Sequence, residues 1–274
     1  REVFGHAAKA GWLYYVNGSH AQALNDRWSY KVSGGGLMQD PFPRPTGVIP
    51  GSPTAQQYPA YSNPRSTQPK ADARFDYDFP DKVTTMSFSG GYAGTTGIMQ
   101  TGIGPFSIDS GSGMGYAKFA FSRRAMHLQV FGNLQNTDAR NLLTVGANGQ
   151  PIVSGFNTKT TDAEFGDTRL LGTRNAVTYG GNVRLNRFHL TIAPGETQRT
   201  EGGGYVQDEF SANAHVRVVL GARADKFSSI SSAVFSPRVA LLLKPQETQT
   251  FRVSYNRAFR APSMVNRSIS ASAQ

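Results

Sequence analysis

The sequence predicts an all-β, antiparallel, up-and-down transmembrane barrel. Three observations predict it: repeated alternation of apolar and polar residues with period two, alternating windows of about nine to thirteen residues, and connections that are alternately tight and long. A strand with one apolar and one polar face is therefore the recurring unit.

Windows near 10–18 and 27–38 open the series, and 71–79 shows the alternation most clearly. There Ala71, Ala73, Phe75, Tyr77 and Phe79 point one way, while Asp72, Arg74, Asp76 and Asp78 point the other. A register slip of one residue would put three aspartates on the apolar face. Weaker windows follow near 83–93, 113–121, 126–136, 161–169, 175–186 and 203–210.

Segment 214–225 places Val216, Val218 and Leu220 opposite His215, Arg217, Arg223 and Asp225. After a window near 235–243, segment 251–260 sets Phe251, Val253, Tyr255 and Phe259 against Arg252, Ser254, Asn256 and Arg260, with Arg257 interrupting the apolar side. The windows amount to roughly twelve strands, most of them as long as a bilayer crossing needs, about 9 to 11 residues at a steep tilt. Strands of soluble sandwiches are shorter, commonly about five or six residues.

Tight connections fall near 80–82, 122–125, 170–174, 211–213 and 244–249, and long ones near 39–70, 94–112, 137–160, 187–202 and 227–234. In an up-and-down barrel successive connections emerge at opposite ends, so short turns gather on one rim and long loops on the other. Hydrocarbon cannot satisfy an open sheet edge, which favours closure. A soluble β-sandwich or extracellular β-repeat is the alternative architecture.

Composition agrees. The 274 residues include 30 Gly and 15 Pro, only 17% are charged, and there is no Cys. A disulfide scaffold, a charged disordered tail and thiolate metal sites are excluded. The longest aliphatic run, 239–243, is far short of the roughly 20 residues of a membrane helix. The net charge of +10 is dispersed, with Arg123 and Arg124 the only adjacent basic pair, so nucleic acid is not an expected partner.

Loop 39–70 is rich in proline and cannot be a central strand. Its Tyr58 and Tyr61 are candidates for stacking on a ligand, or else pack the loop against its neighbours.

Two stretches carry more than pattern. Segment 204–210 reads Gly-Tyr-Val-Gln-Asp-Glu-Phe and leads into Leu-Gly-Ala-Arg-Ala-Asp at 220–225. Segment 254–263 reads Ser-Tyr-Asn-Arg-Ala-Phe-Arg-Ala-Pro-Ser, and Ser-Pro-Arg stands between them at 236–238. In order and spacing these stretches resemble the barrel of TonB-dependent outer-membrane receptors and transporters. The motif residues are Tyr205, Gln207, Asp208, Glu209, Phe210, Arg257, Phe259, Arg260 and Pro262. Segments 28–36 and 175–181 resemble an early and a middle strand of the same barrel.

The resemblance implies a barrel of 22 strands filled by an N-terminal plug, with a TonB box ahead of it. Residues 1–274 would then be one part of a single barrel domain, about 12 of the 22 strands, with the plug and the C-terminal strands outside the chain. A closed twelve-stranded barrel is the competing expectation. The implied function is TonB-dependent uptake of a scarce large solute, such as a ferric siderophore, vitamin or glycan, across the bacterial outer membrane. The implied partners are the plug, the TonB complex acting through it, outer-membrane lipid and the imported solute, and a monomer is expected. A passive porin or a surface adhesin is the alternative without energised transport.

On this reading Arg74, Asp76, Arg217, Arg223, Asp225, Arg252 and Arg260 face the lumen, as plug contacts or hydrated wall. Phe75, Tyr77, Val216, Leu220 and Tyr255 face lipid, and Trp28, Phe210 and Phe259 are candidates for the interfacial aromatic belts. Catalysis is not expected. The histidines at 6, 20, 127, 189 and 215 stand apart, no nucleophile elbow is present, and the glycine runs 34–36 and 202–204 lack the lysine of a phosphate loop. No cofactor is implied.

Overall fold

The computed structural model describes residues 2–4, 9–44, 46–49, 51–58, 60–101, 104–145, 151–191 and 197–261. A small hairpin, β1 (Glu2–Phe4) with β2 (Lys9–Gly11), precedes the main sheet. The sheet then runs through β3 (Leu13–Ala23), β4 (Trp28–Gln39), β5 (Ser66–Asp78) and β6 (Thr84–Gly94). Two short strands, β7 (Gly97–Thr101) and β8 (Gly104–Ile108), intervene before β9 (Gly113–Arg123) and β10 (Met126–Asn136). After β11 (Asp138–Val145) come β12 (Pro151–Leu171), β13 (Asn175–Leu190), β14 (Gln198–Ser211), β15 (Val216–Phe227), β16 (Val234–Gln246) and β17 (Gln249–Asn256).

Twelve of these strands form one antiparallel path in the order β17-β16-β15-β14-β13-β12-β10-β9-β6-β5-β4-β3, while β7, β8 and β11 join it through β12. Each neighbour on the path is also the next full-length strand in sequence, which is the up-and-down arrangement. Within the path the connections alternate: 24–27, 79–83, 124–125, 172–174, 212–215 and 247–248 are short, and 40–65, 95–112, 137–150, 191–197 and 228–233 are longer.

One row of register partners shows how the sheet is inclined. It passes from Trp28 through Tyr77, Met86, Phe121, Leu128, Phe165, Gly181, Gly204 and Ala224 to Phe235. Trp28 starts β4 at the short-turn rim, whereas Phe235 lies at the long-loop end of β16. The row therefore climbs the wall as it crosses it. At about 3.4 Å per residue and about 4.8 Å per strand, the climb corresponds to a tilt of roughly 40°, the inclination of membrane barrels.

That row also fixes the faces. Phe75, Phe88, Phe119 and Val130 are successive partners on its side of the sheet, as are Val218, Leu241 and Val253. Many of these side chains are exposed, Phe88 at 46% and Val253 at 72%. Buried apolar side chains among the described residues are few: Phe106, Ala139, Val219 and Ala240. A broad apolar surface without a protein core beneath it is what a lipid-facing wall requires.

The short turns are built alike. The Asn25 carboxamide oxygen accepts from the amides of Arg27 and Trp28, both at 2.9 Å. Asn213 accepts from His215 and Val216 at 2.8 and 2.9 Å. Asp81 accepts from the Thr84 amide at 2.9 Å and from the Thr84 hydroxyl at 2.6 Å. Side-chain acceptors thus satisfy amides that the reversing chain would otherwise leave unpaired.

Several sequence expectations need correction at their edges. The window 71–79 is the lower part of β5, which begins at Ser66, and Phe79 lies in the turn. The strand expected at 214–225 starts at Val216, so His215 belongs to the turn, where its Nδ1 lies 2.8 Å from the Lys244 carbonyl oxygen. The strand expected at 251–260 ends at Asn256. Loops expected at 94–112 and 137–160 contain β7, β8, β11 and the upper part of β12. β12 has 21 residues, about twice what a bilayer crossing needs, so its start projects beyond the membrane band.

Loop 40–65 folds back on itself rather than trailing free. Arg65 pairs with Asp40 at 2.6 Å, Asn63 donates to the Phe42 carbonyl at 2.6 Å, and Val48 bridges Gln57.

Candidate functional site

The face opposite the aromatic row carries most of the paired charges, although Asp167 and Arg169 pair at 2.6 Å on the row's own side, near the short-turn end of β12. On β5, Arg74 and Asp76 stand two residues apart on that opposite face and pair at 2.6 Å. Arg217 of β15 reaches Glu209 of β14 at 2.5 Å. Higher on β15, Arg223 pairs with Asp225 at 2.7 Å and extends to Asn182 of β13, whose side-chain oxygen accepts at 2.8 Å. That reach crosses Gly203, where a Cβ would collide with the Asp225 carboxylate and the Arg223 guanidinium. Glycine here is a requirement of close approach.

The densest group lies near the long-loop end of β12, β13 and β14. Asp162, Arg184 and Glu201 are successive register partners, so charges of alternating sign line up across three strands. Asp162 and Arg184 pair at 2.8 Å, with the Asp162 side chain only 3% exposed. Arg199 and Glu201 lie 2.9 Å apart. Thr160 donates to Asn186 at 2.9 Å in the adjoining row. The Arg199 guanidinium also sits 5.8 Å from the Phe227 ring centroid.

Strand alternation divides the motif residues between the two faces. Tyr205, Gln207 and Glu209 share the polar face with Arg223, Gly221 and Val219, whereas Asp208 and Phe210 share the apolar face with Leu220 and Val218. Asp208 is held on that face by the Asn175 carboxamide at 2.6 Å. The Tyr205 hydroxyl lies beside Gly180 and Gly166, and no Cβ could be added at either without meeting it. Tyr116 uses Gly91 in the same way to hydrogen-bond Asp72 two strands away.

Arg252 faces the lumen side of β17 beside Leu242, exposed. Arg257 follows the strand, its amide donating to the Pro237 carbonyl at 3.1 Å. Phe259 was expected on the apolar face, but its ring centroid lies 5.8 Å from that of Phe227, a partner of Glu201 on the polar face. The strand has ended, so alternation no longer assigns Phe259 or Arg260 a side. Pro262 lies outside the described residues.

Tyr58 and Tyr61 are separated from the lumen network by their position in loop 40–65. The Tyr58 amide donates to the Gly47 carbonyl at 2.9 Å. The Arg44 guanidinium lies 5.6 Å from the Tyr61 ring centroid and donates to the Tyr61 carbonyl at 3.4 Å. Burial pushes the Tyr61 phenol above its ordinary pKa, against the opposing pull of Arg44.

Sequence reading missed Asp162, Arg184, Arg199 and Glu201. The parity of windows 161–169 and 175–186 already put Asp162 and Arg184 on polar faces, but only register shows that they meet. Among the described residues no cluster of three or more His, Asp or Glu side chains is arranged to hold a metal ion. The arrangement supplies fixed charges and hydrogen-bonding groups along the polar wall.

Residues 9–272 match the family described as TonB dependent receptor-like, beta-barrel. The chain belongs to this family. A TonB-dependent receptor barrel is a multi-pass structure of the bacterial outer membrane, and the family's members are transport receptors rather than enzymes. Members generally carry a plug domain and engage a TonB complex, and the described residues here are barrel strands and loops.

Solved structures share the receptor-barrel fold. The siderophore receptor PirA from Pseudomonas aeruginosa aligns with a TM-score of 0.64 at 12% identity, over 92% of this chain and 40% of that one. The apoprotein form of the FrpB iron transporter from Neisseria meningitidis aligns at 0.63 and 12% identity, over 92% and 45%. A double mutant of the ferric enterobactin receptor PfeA from P. aeruginosa aligns at 0.62 and 13% identity, over 93% and 42%. The chain thus spans less than half the length of each. Among curated proteins none matches it.

Proposed function

We propose that this chain forms channel wall and external loops of a receptor that actively takes up a scarce large solute across the outer membrane. Among the described residues its twelve-strand path has two unpaired edges, β3 and β17. Hydrocarbon does not tolerate such edges, so strands outside this chain complete the barrel, and a plug outside this chain fills it. The barrel works as a monomer, and TonB acts through the plug. The observation that carries this reading is a family match over residues 9–272 combined with a polar face whose charges are paired across neighbouring strands.

The lumen residues hold a surface against which a plug can slide. Arg74, Asp76, Arg217, Arg223, Asp225 and Arg252 contact the plug or water, and the Asp162–Arg184–Glu201 row does so nearer the outside. The external loops, with Tyr58 and Tyr61 among them, take part in capture. Ferric chelates are the first solutes to test, because solved structures of this fold include a siderophore receptor and an iron transporter.

Cells carrying the intact receptor should accumulate its ferric chelate only while the inner-membrane proton gradient is maintained. A protonophore, or deletion of TonB, should reduce accumulation to background. Uptake that persists unchanged under both treatments would favour a passive porin.

A further inference from the structure

We propose that the outward face of the barrel, at its long-loop edge, carries a binding site for a phosphorylated membrane lipid. Lys159 of β12 and Arg187 of β13 are direct register partners, so two positive charges stand opposite each other across the ladder. Like charges in that relation repel and destabilise a sheet. Both side chains are exposed, and among the described residues neither has an ion-pair partner. An anion placed between them removes the repulsion.

Alternation settles the side on which they stand. Lys159 follows Phe165, Ala163 and Thr161 up the apolar face of β12, and Arg187 follows Val183 and Leu185 up that of β13. Each lies twelve residues above the short-turn end of its strand. At roughly 40° tilt this is about 30 Å above that rim, just beyond an apolar band about 25 Å tall. The pair is therefore at headgroup height, facing outwards. His189, partner of Asn157 on the same face, adds an imidazole above Arg187.

A groove leads from this cluster across the neighbouring strands, with Gly115 of β9 as its floor and Leu134 and the Tyr92 ring, which lies over Gly113, as its apolar flanks. Tyr92 and Leu134 are 50% and 57% exposed. Gly115, register partner of both Leu134 and Tyr92, leaves an open place between their side chains. An apolar slot ending in unpaired cations matches a lipid with an acyl chain and a phosphate, and free phosphate would leave the slot unused.

The test is lipid retention by the intact receptor, read by native mass spectrometry after mixing with bisphosphorylated lipid A or with the same lipid stripped of its phosphates. The phosphorylated lipid should be retained, and the doubly substituted Lys159→Gln/Arg187→Gln receptor should retain it at least about tenfold less. Gly115→Val should also lower retention with all charges in place, since a Cβ at Gly115 meets neighbours only at ordinary contact distances of 3.7 and 3.8 Å and the remaining bulk enters the slot. Equal retention of the two lipids by the unaltered receptor would overturn the proposal. So would unchanged retention in either folded variant, or complete displacement of the lipid by millimolar inorganic phosphate.

Discussion

Tyr205 lies across Gly180, its hydroxyl 2.7 Å from where a Cβ at that glycine would stand and 2.9 Å from the equivalent point at Gly166. The Phe165 carbonyl oxygen crowds the same point on Gly180, and backbone cannot move aside as a side chain can. Gly180→Ala should therefore destabilise the barrel by about 1–3 kcal/mol. Gly202→Ala, whose Cβ would meet neighbours at 3.6 and 3.8 Å, should stay within about 0.5 kcal/mol. Urea titration of the intact receptor in lipid vesicles measures both. Removing the tyrosine ring as well should rescue Gly180→Ala only in part.

Charge on the apolar face should cost different amounts at two positions of similar height. Phe88 is surrounded by Phe75 and Phe119, so Phe88→Arg should cost about 2–4 kcal/mol in a bilayer. Leu220 has Asp208 as its register partner, and an arginine there gains a carboxylate neighbour. Leu220→Arg should be the milder change in the same vesicle titration. Equal losses would show that Asp208 does not share the surface with Leu220.

The lumen charges should divide by burial. Arg184→Ala leaves the nearly inaccessible Asp162 carboxylate without its partner and should cost about 2–3 kcal/mol. Adding Asp162→Asn should recover part of that loss, and a double-mutant cycle measures how much. Arg252→Ala, an exposed residue with no carboxylate across from it on β16, should change stability by less than about 0.5 kcal/mol.

Acid should loosen one short turn through Asp81. Hydrogen bonds from Thr84, its hydroxyl foremost, hold the Asp81 carboxyl below its ordinary pKa. A carboxylate depressed in the folded state stabilises it above the unfolded pKa, and that stabilisation is lost as pH falls through the folded value. Asp81→Asn should therefore flatten the acid limb of the stability profile below about pH 4, with Thr84→Val acting in the same direction. Unchanged acid profiles in both variants would contradict the assignment.

The strand faces were legible because each strand has two environments and the sequence alternates between them, as in segment 71–79. Tight connections were legible near 80–82 and 211–213, where the Asp81 and Asn213 side chains make the turn themselves, whereas the turn that Asn25 makes at 24–27 was not read. Strand ends were less so. Above the membrane both sides of a strand meet water, so the start of β12 carries no alternation to read, and Phe259 kept an apolar parity after its strand had ended. Register was not legible at all: Asp162 and Arg184, like Lys159 and Arg187, meet only because the turn at 172–174 sets the pairing of β12 with β13.

Depth-resolved labelling tests most directly which side of the wall meets lipid. The chain has no cysteine, so single cysteines can be placed in it and labelled with an environment-sensitive fluorophore, in a receptor otherwise free of reactive thiols. In vesicles of brominated lipid, labels at 88 and 239 should be strongly quenched, and labels at the adjacent positions 87 and 240 should not. Quenching without alternation, or stronger at 87 and 240, would contradict a polar lumen enclosed by a lipid-facing apolar wall.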